Sequence, residues 1–513
     1  MLRTLVRHAT FCLVPVRLHM PPTVGPYDGR KARRKRCDAC VKLKIKCHGG
    51  FPCTSCQRTK RSCKAPTKPT TSMPIFVRET LSTGGNNASC ALLVCKTTFP
   101  LLQSPCPTRS DRSIPYFVTS FLPMNIFTSD TMVIGTELLS MARTSPALRD
   151  AMHAIAGLHR NQQDQLTLAG GNGHCESSEV LQAYNRSVSC IQYRIASSEF
   201  LDDPSALWTT FLLGLLELMR DSTGENWLSH FLHGTCVILR LQRPEDFTRP
   251  GLQNLQKRTF FLATRIFEIA RSLIYTSPTF HSEPEWMAAL LKLWECEGVT
   301  LWHPKEALFD MLPSFSHLSI RALQFCDHVA QFSVDARNAL FQSLANEGLV
   351  LQRSLQQWWE ETLVWEQTFS EQGIHIAVPR KSDTELLVAY LYYHAISIYL
   401  SGTYDYHVHW SYPDAPSAPI LPRSKIYWHV SEILCLSHKL LTHGAAGVLL
   451  LFPLRVAGAR AADLRSRQDI LNLLHTTARR GFVVAEAFSS DLSSLWASKS
   501  IREGGLGTGE EGM

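Results

Sequence analysis

Residues 31–63 read Lys31-Ala32-Arg33-Arg34-Lys35-Arg36-Cys37-Asp38-Ala39-Cys40-Val41-Lys42-Leu43-Lys44-Ile45-Lys46-Cys47-His48-Gly49-Gly50-Phe51-Pro52-Cys53-Thr54-Ser55-Cys56-Gln57-Arg58-Thr59-Lys60-Arg61-Ser62-Cys63. The six cysteines fall into two equivalent halves, each C-x2-C-x6-C, separated by five residues. Six of the chain's 16 cysteines lie here and the other ten are scattered through a chain of 513 residues, so the cluster is a local device and not a disulfide scaffold. A C-x2-C step brings two thiolates to chelating distance, and structural zinc takes four tetrahedral ligands. Two zinc ions need eight ligand positions and six cysteines fill six, so two sulfurs must each bridge both metals. This arithmetic predicts a binuclear cluster held by Cys37, Cys40, Cys47, Cys53, Cys56 and Cys63; the competing reading, a mononuclear site completed by His48, has that ligand directly beside Cys47.

Charge is concentrated in the same segment. Residues 30–64 hold 13 Lys or Arg and one acid, Asp38, a local +12 within a chain whose total is +8, which leaves the remainder at −4. Part of this charge offsets the thiolates and lowers their pKa values so that metal binds at neutral pH. The rest suits a polyanion: DNA carries one phosphate charge about every 1.7 Å, and Lys and Arg that neutralise several of them supply most of the non-specific affinity. Arg30 to Arg36, with Arg33, Arg34, Lys35 and Arg36 as its DNA contacts, form an arm able to follow the backbone and to act as a nuclear import signal.

These residues carry a resemblance: the module is similar to the fungal zinc binuclear cluster (Zn2Cys6) DNA-binding domain, matching its cysteine pattern at every spacing. The resemblance implies that Cys37 and Cys53 bridge two zinc ions, that each half carries a short helix, and that the first helix reads a CGG-type triplet in the major groove of double-stranded DNA. It places Lys44 at the base-contacting position, where it donates to guanine, with Lys42 and Lys46 beside it. Val41 and Leu43 depart from the family pattern, which has cations there.

The remainder divides into a disordered leader (1–30, with the zinc module at 31–66), a Pro/Thr/Ser-rich linker (67–115), an all-α region (116–500) and a disordered Gly-rich tail (501–513). Ser145-Pro146 signals a helix start, with Leu148, Met152 and Ile155 on one face. Ser382-Asp383-Thr384-Glu385 forms a capping box before an apolar run, Leu386 to Leu400, which contains His394 and is too short to span a membrane. Further helices are expected at about 178–197, 205–220, 226–241, 251–274, 338–369, 424–442, 446–462, 466–488 and 491–498. The fold class is thus mainly α. Ser145 to Asp150, Leu158-His159, Tyr184-Asn185-Arg186, Glu217, Trp227, His230, Gly234 and Phe452-Pro453-Leu454 with Ala457-Gly458 resemble the fungus-specific transcription factor domain that follows such clusters, which implies a regulatory region.

No G-x-S-x-G, H-E-x-x-H or P-loop occurs, and no catalytic residue is nominated. His230, His233 and Cys236 share helical spacing, but packing histidines are the simpler reading. Trp358, Trp359 and Trp365, with Leu351 and Leu355, describe an apolar helix face. The whole reads as a nuclear, zinc-dependent, sequence-specific regulator of RNA polymerase II transcription, of a metabolic or secondary-metabolite gene cluster by family association, with DNA and the transcription machinery as partners and no membrane. Two other readings compete. One is a zinc-containing interaction protein that modulates other regulators without base reading. The other is a mitochondrial metal-handling protein, because Met1 to Met20 carries Arg3, Arg7 and Arg17 and no acid; Met20 is an alternative start. Residues 64–115 lack sustained heptads, so a monomer and a homodimer paired through the helical region both fit.

Overall fold

The computed structural model describes residues 54–59, 109–126, 131–167, 178–196, 203–223, 238–301, 303–371, 384–413, 415–445 and 447–505. The chain divides into two units, Met20–Cys106 and Met1–His19 with Pro107–Met513. In the first, the described element is the one-turn helix α1 (Thr54–Arg58). The described residues of the second form helices and turns without a strand.

The described residues of the helical unit begin at Arg109, inside the stretch expected to be linker. Helix α2 (Arg109–Tyr116) runs through a π turn, Phe117–Phe121, into α3 (Leu122–Asn125). Pro115 and Pro123 lack the N–H that a regular helix needs, and the ladder widens between them, with the Leu122 amide reaching Phe117 O. Next come α4 (Thr131–Thr144), α5 (Pro146–Thr167), α6 (Ser178–Ala196) and α7 (Pro204–Arg220). The Ser145-Pro146 start is observed: Ser145 Oγ accepts from the Leu148 amide at 3.4 Å. Asp203 caps α7 in the same way, accepting from the Ser205 amide at 2.8 Å with Pro204 in the first turn.

Helices α8 (Leu252–Tyr275), α9 (Pro284–Leu301), α10 (Pro304–His328), α11 (Val334–Glu371), α12 (Thr384–Asp405) and α13 (Arg423–Thr442) follow, then α14 (Leu451–Arg460), α15 (Leu464–Arg479) and α16 (Ala485–Gly505). Helix α12, the expected buried run, is apolar nearly all round because neighbours cover it on all sides: it packs against α10, α11, α13 and α14. Two of its tyrosines bury their rings and still satisfy their hydroxyls, Tyr392 on Leu449 O at 3.2 Å and Tyr404 on Leu344 O at 2.8 Å. A second core layer joins α7 to α8 through edge-on contacts of Trp208, Phe211, Phe260 and Phe267.

Several expectations are corrected. The segment expected as one helix over 466–488 is broken: Gly481 adopts φ +109° between α15 and α16, where a side chain would press on Gln162 and His159. The helix expected from 446 begins at Leu451, after a 3-10 turn at Val448–Leu450. The 226–241 helix is described only over 238–241, which is helical, and His230, His233 and Cys236 lie outside the described residues. Glu385 is turned inward to Lys305, and Ser382 of the anticipated capping box lies outside the described residues. Helices α4, α9 and α10 were not anticipated; α10 carries Pro313 in its interior, and α4 leaves Met132, Val133 and Leu139 in solvent. Trp358 is core, as expected, its indole N–H donating to Pro304 O at 2.8 Å. No helix among the described residues is long and apolar enough to cross a membrane.

At Gly348, α11 approaches α12 so closely that a methyl group would overlap the Tyr404 hydroxyl and touch Pro419. Gly348→Ala is therefore expected to destabilise the unit by about 1–3 kcal/mol, despite alanine's higher helix propensity. A urea melt of the variant reads this directly; unchanged or higher stability would contradict the packing.

Candidate functional site

Of the thirteen residues assigned to zinc and DNA, only Cys56 lies among the described ones. It sits on α1, which begins one residue after Cys53, and its side chain is buried while Gln57 and Arg58 are exposed. A sheltered thiol on a one-turn helix at the second position of a C-x2-C step fits a structural zinc ligand. Cys37, Cys40, Cys47, Cys53 and Cys63, together with Arg33, Arg34, Lys35, Arg36, Lys42, Lys44 and Lys46, lie outside the described residues. Among the described residues no three His, Cys, Asp or Glu side chains converge as a metal site.

In the helical unit, the polar residues that carried the regulatory-domain resemblance come together on three packed helices. Arg186 of α6 grips Asp150 of α5 with two bonds of 2.9 and 3.0 Å, and Ser187 Oγ donates to Ala147 O at 2.8 Å. The Tyr184 hydroxyl donates to Glu217 of α7 at 2.7 Å, and Arg220 lies 5.3 Å over the Tyr184 ring. His159 Nδ1 meets the Tyr116 hydroxyl at 2.8 Å, which ties α2 to α5. Phe452 packs against Tyr392 and Tyr399, and Gly458 O accepts the Trp496 indole N–H at 2.9 Å. Trp227, His230 and Gly234 lie outside the described residues.

Two buried polar clusters were not singled out from the sequence. Arg265 of α8, 1% exposed, bonds Glu306 at 2.5 Å and also Asp310, both on α10. Trp294 of α9 donates to the second Asp310 oxygen at 2.7 Å. Lys305 then bridges Glu306 at 2.9 Å and Glu385 of α12 at 3.3 Å. Burial disfavours the charge on Glu306, but Lys305 and Arg265 beside it hold its carboxyl below the usual carboxylate range. The sequence signal was an arginine inside the apolar run Phe260 to Phe267, where a cation needs acids brought to it.

The second cluster joins α12 to α13. His394 and His429 face each other Nδ1 to Nδ1 at 2.9 Å, which requires one ring to donate and the other to accept, so the accepting ring is neutral. Trp359, Tyr393 and Trp428 surround His394. Burial and the neighbouring His429 push His394 down to about 3; burial and Lys425 push His429 down to about 4. The geometry does the work of a structural link. It offers no nucleophile paired with a base.

Among the described residues the fold is built of packed helices, and the polar clusters above join one helix to another. Compared with protein families, residues 114–499 match the fungal specific transcription factor domain, and the chain belongs to that family. Membership assigns it to transcription regulation, points away from an enzyme, and implies a nuclear role with DNA or the transcription machinery as partner. No curated protein and no solved structure matches the chain.

Unfolded imidazoles titrate near pH 6.5, above the folded values of His394 and His429, so the unfolded chain binds more protons as the medium is acidified. The stability these neutral rings contribute is complete above about pH 6.5 and is lost as pH falls towards 4. Between pH 7.5 and 5 the unfolding free energy should drop by roughly 1–2 kcal/mol per imidazole. The double variant His394→Gln/His429→Gln should show a shallower decline, with His159, which burial holds at about 4, supplying part of the remainder. An unchanged slope in that variant would exclude the pair as its source.

Proposed function

We propose that the chain is a zinc-dependent, sequence-specific DNA-binding regulator of RNA polymerase II transcription that acts in the nucleus. The observation that carries this reading is the pairing of two C-x2-C-x6-C halves in a +12 segment with a fungal transcription factor domain on the same chain. Cys37, Cys40, Cys47, Cys53, Cys56 and Cys63 are the ligand set, with Cys37 and Cys53 shared between two metals. Zinc, when bound, supplies the cross-links that a segment too short for its own apolar core needs in order to fold. Lys44 presents its ammonium to guanine O6 and N7 of a CGG-type triplet. Lys42, Lys46 and the arm from Arg33 to Arg36 neutralise phosphates, which fixes register without specifying sequence.

A second reading is favoured by one feature. Val41 and Leu43 stand where the family usually has cations, so the module has fewer donors for DNA and would suit an interaction protein that modulates other regulators. Lys44→Ala separates the two. Under the DNA-reading account it costs about 1–3 kcal/mol on a CGG-type duplex and little on a scrambled one. Equal small losses on both duplexes would favour the interaction protein. Metal analysis of the full chain should return two zinc ions, and their removal by a chelator should abolish the preference for the CGG-type duplex; preference that survives chelation would overturn the zinc-dependent reading.

A further inference from the structure

Helix α12 carries aromatic side chains that its neighbours flank without closing over. α11 and α13 both pack on α12 and form no packed pair with each other, so a trough runs between them along α12. Its floor is His394, 2% exposed, with the half-buried Tyr393 beside it. Trp359 of α11 and Trp428 of α13 stand against the same imidazole, their ring centroids 5.7 and 5.0 Å from it, and make no ring contact with each other. Tyr393 stacks on Trp359 at 4.6 Å, and Trp428 remains 41% exposed. Two partly exposed indoles over a buried polar floor suit a small flat ligand, which loses water from both ring faces when it enters.

The trough is polarised, because both flanking helices run antiparallel to α12. On the α13 side Leu421 meets Ser401 and His429 meets His394; on the α11 side Leu344 meets Tyr404 and Glu366 meets Tyr390. Lys425 therefore lies towards the Ser401 end. Its ammonium is 5.4 Å over the Trp428 ring and forms no ion pair, and after burial it is the charge that disfavours protonation of His429. The acids lie towards the Tyr390 end: Glu366 accepts the Tyr390 hydroxyl at 2.6 Å, and Glu432 is one turn beyond Trp428 on α13. Along the walls and floor, the indole N–H groups of Trp359 and Trp428 and the Tyr393 hydroxyl make no hydrogen bond to another described residue.

We infer that this trough binds a small aromatic monocarboxylate, its ring between Trp359 and Trp428 over His394 and Tyr393, and its carboxylate held by Lys425. One negative charge answers the unpaired ammonium, and the flat body offers its faces to the indoles. A cation would meet Lys425 at one end, and a second carboxylate would meet Glu366 and Glu432 at the other, so the arrangement selects against both. The ligand would touch α11, α12 and α13 together and stabilise the helical unit on binding. The site belongs to that unit and its occupancy is measured without DNA, so it stands or falls apart from the zinc-dependent reading.

Calorimetric titration of the full zinc-loaded chain with naphthoate is the test, with neutral naphthamide and cationic naphthylmethylammonium as comparisons. Naphthoate is expected to bind at one site about tenfold more tightly than naphthamide, with the cation weakest. Lys425→Gln should bring naphthoate down to the affinity of naphthamide. Trp428→Leu should weaken both by about tenfold, since it removes one wall. Lys425 and Trp428 are both exposed, so the urea midpoints of the two variants should stay close to that of the parent chain, which separates loss of binding from loss of fold. Absence of naphthoate binding at millimolar concentration, equal affinity for the three probes, or binding indifferent to Lys425→Gln and Trp428→Leu would overturn the inference.

Discussion

Arg265 is the cation around which the helical unit is assembled. A guanidinium cannot be deprotonated to escape burial, so its place in the interior is tolerable only with acids brought against it from another helix. Glu306 and Asp310 come from α10, one turn apart, and Lys305 next to Glu306 passes the network on to Glu385 of α12. Trp294 adds α9. Four helices are thus held in one relative register by groups for which any slip leaves a buried charge unpaired. The surrounding apolar packing supplies most of the stability, while the ionic cluster specifies which packing is adopted.

How much of this was legible in the sequence depended on whether the signal was local. The cysteine spacing is purely local, so the expected ligand set is read from it alone; five of the six cysteines lie outside the described residues. Ser145-Pro146 was legible for the same reason, since a cap acts within one turn. Leu386 to Leu400 was recognisable as a buried helix because an apolar run of that length has few other places to go. Helix α10 was hidden by Pro313 and its serines, which weigh against a helix locally and are overruled by burial of Leu308, Leu312, Phe315 and Leu318. The break at Gly481 was hidden because one glycine in an amphipathic stretch reads as a tolerated interruption, and the pressure from His159 and Gln162 comes from more than 300 residues away. Pairings such as Arg265 with Glu306, or His394 with His429, have no sequence signature at all until the helices are placed.

Under the proposed function, the regulatory unit and the cysteine-rich module divide the labour along the chain. Family membership assigns the large helical region to transcription regulation, and among its described residues the Arg265 and His394–His429 clusters join helix to helix. Under the proposed function, sequence reading rests with residues 31–66.

The central claim is that zinc-loaded cysteines present Lys44 to a specific base sequence. Selection of the full, zinc-loaded chain on a pool of randomised duplexes at two salt concentrations, with Cys53→Ala alongside, addresses it most directly. The account predicts enrichment of a CGG-type triplet that survives the higher salt and disappears in Cys53→Ala. Salt-sensitive binding with no enriched sequence would contradict it and leave the module as a zinc-stabilised interaction domain.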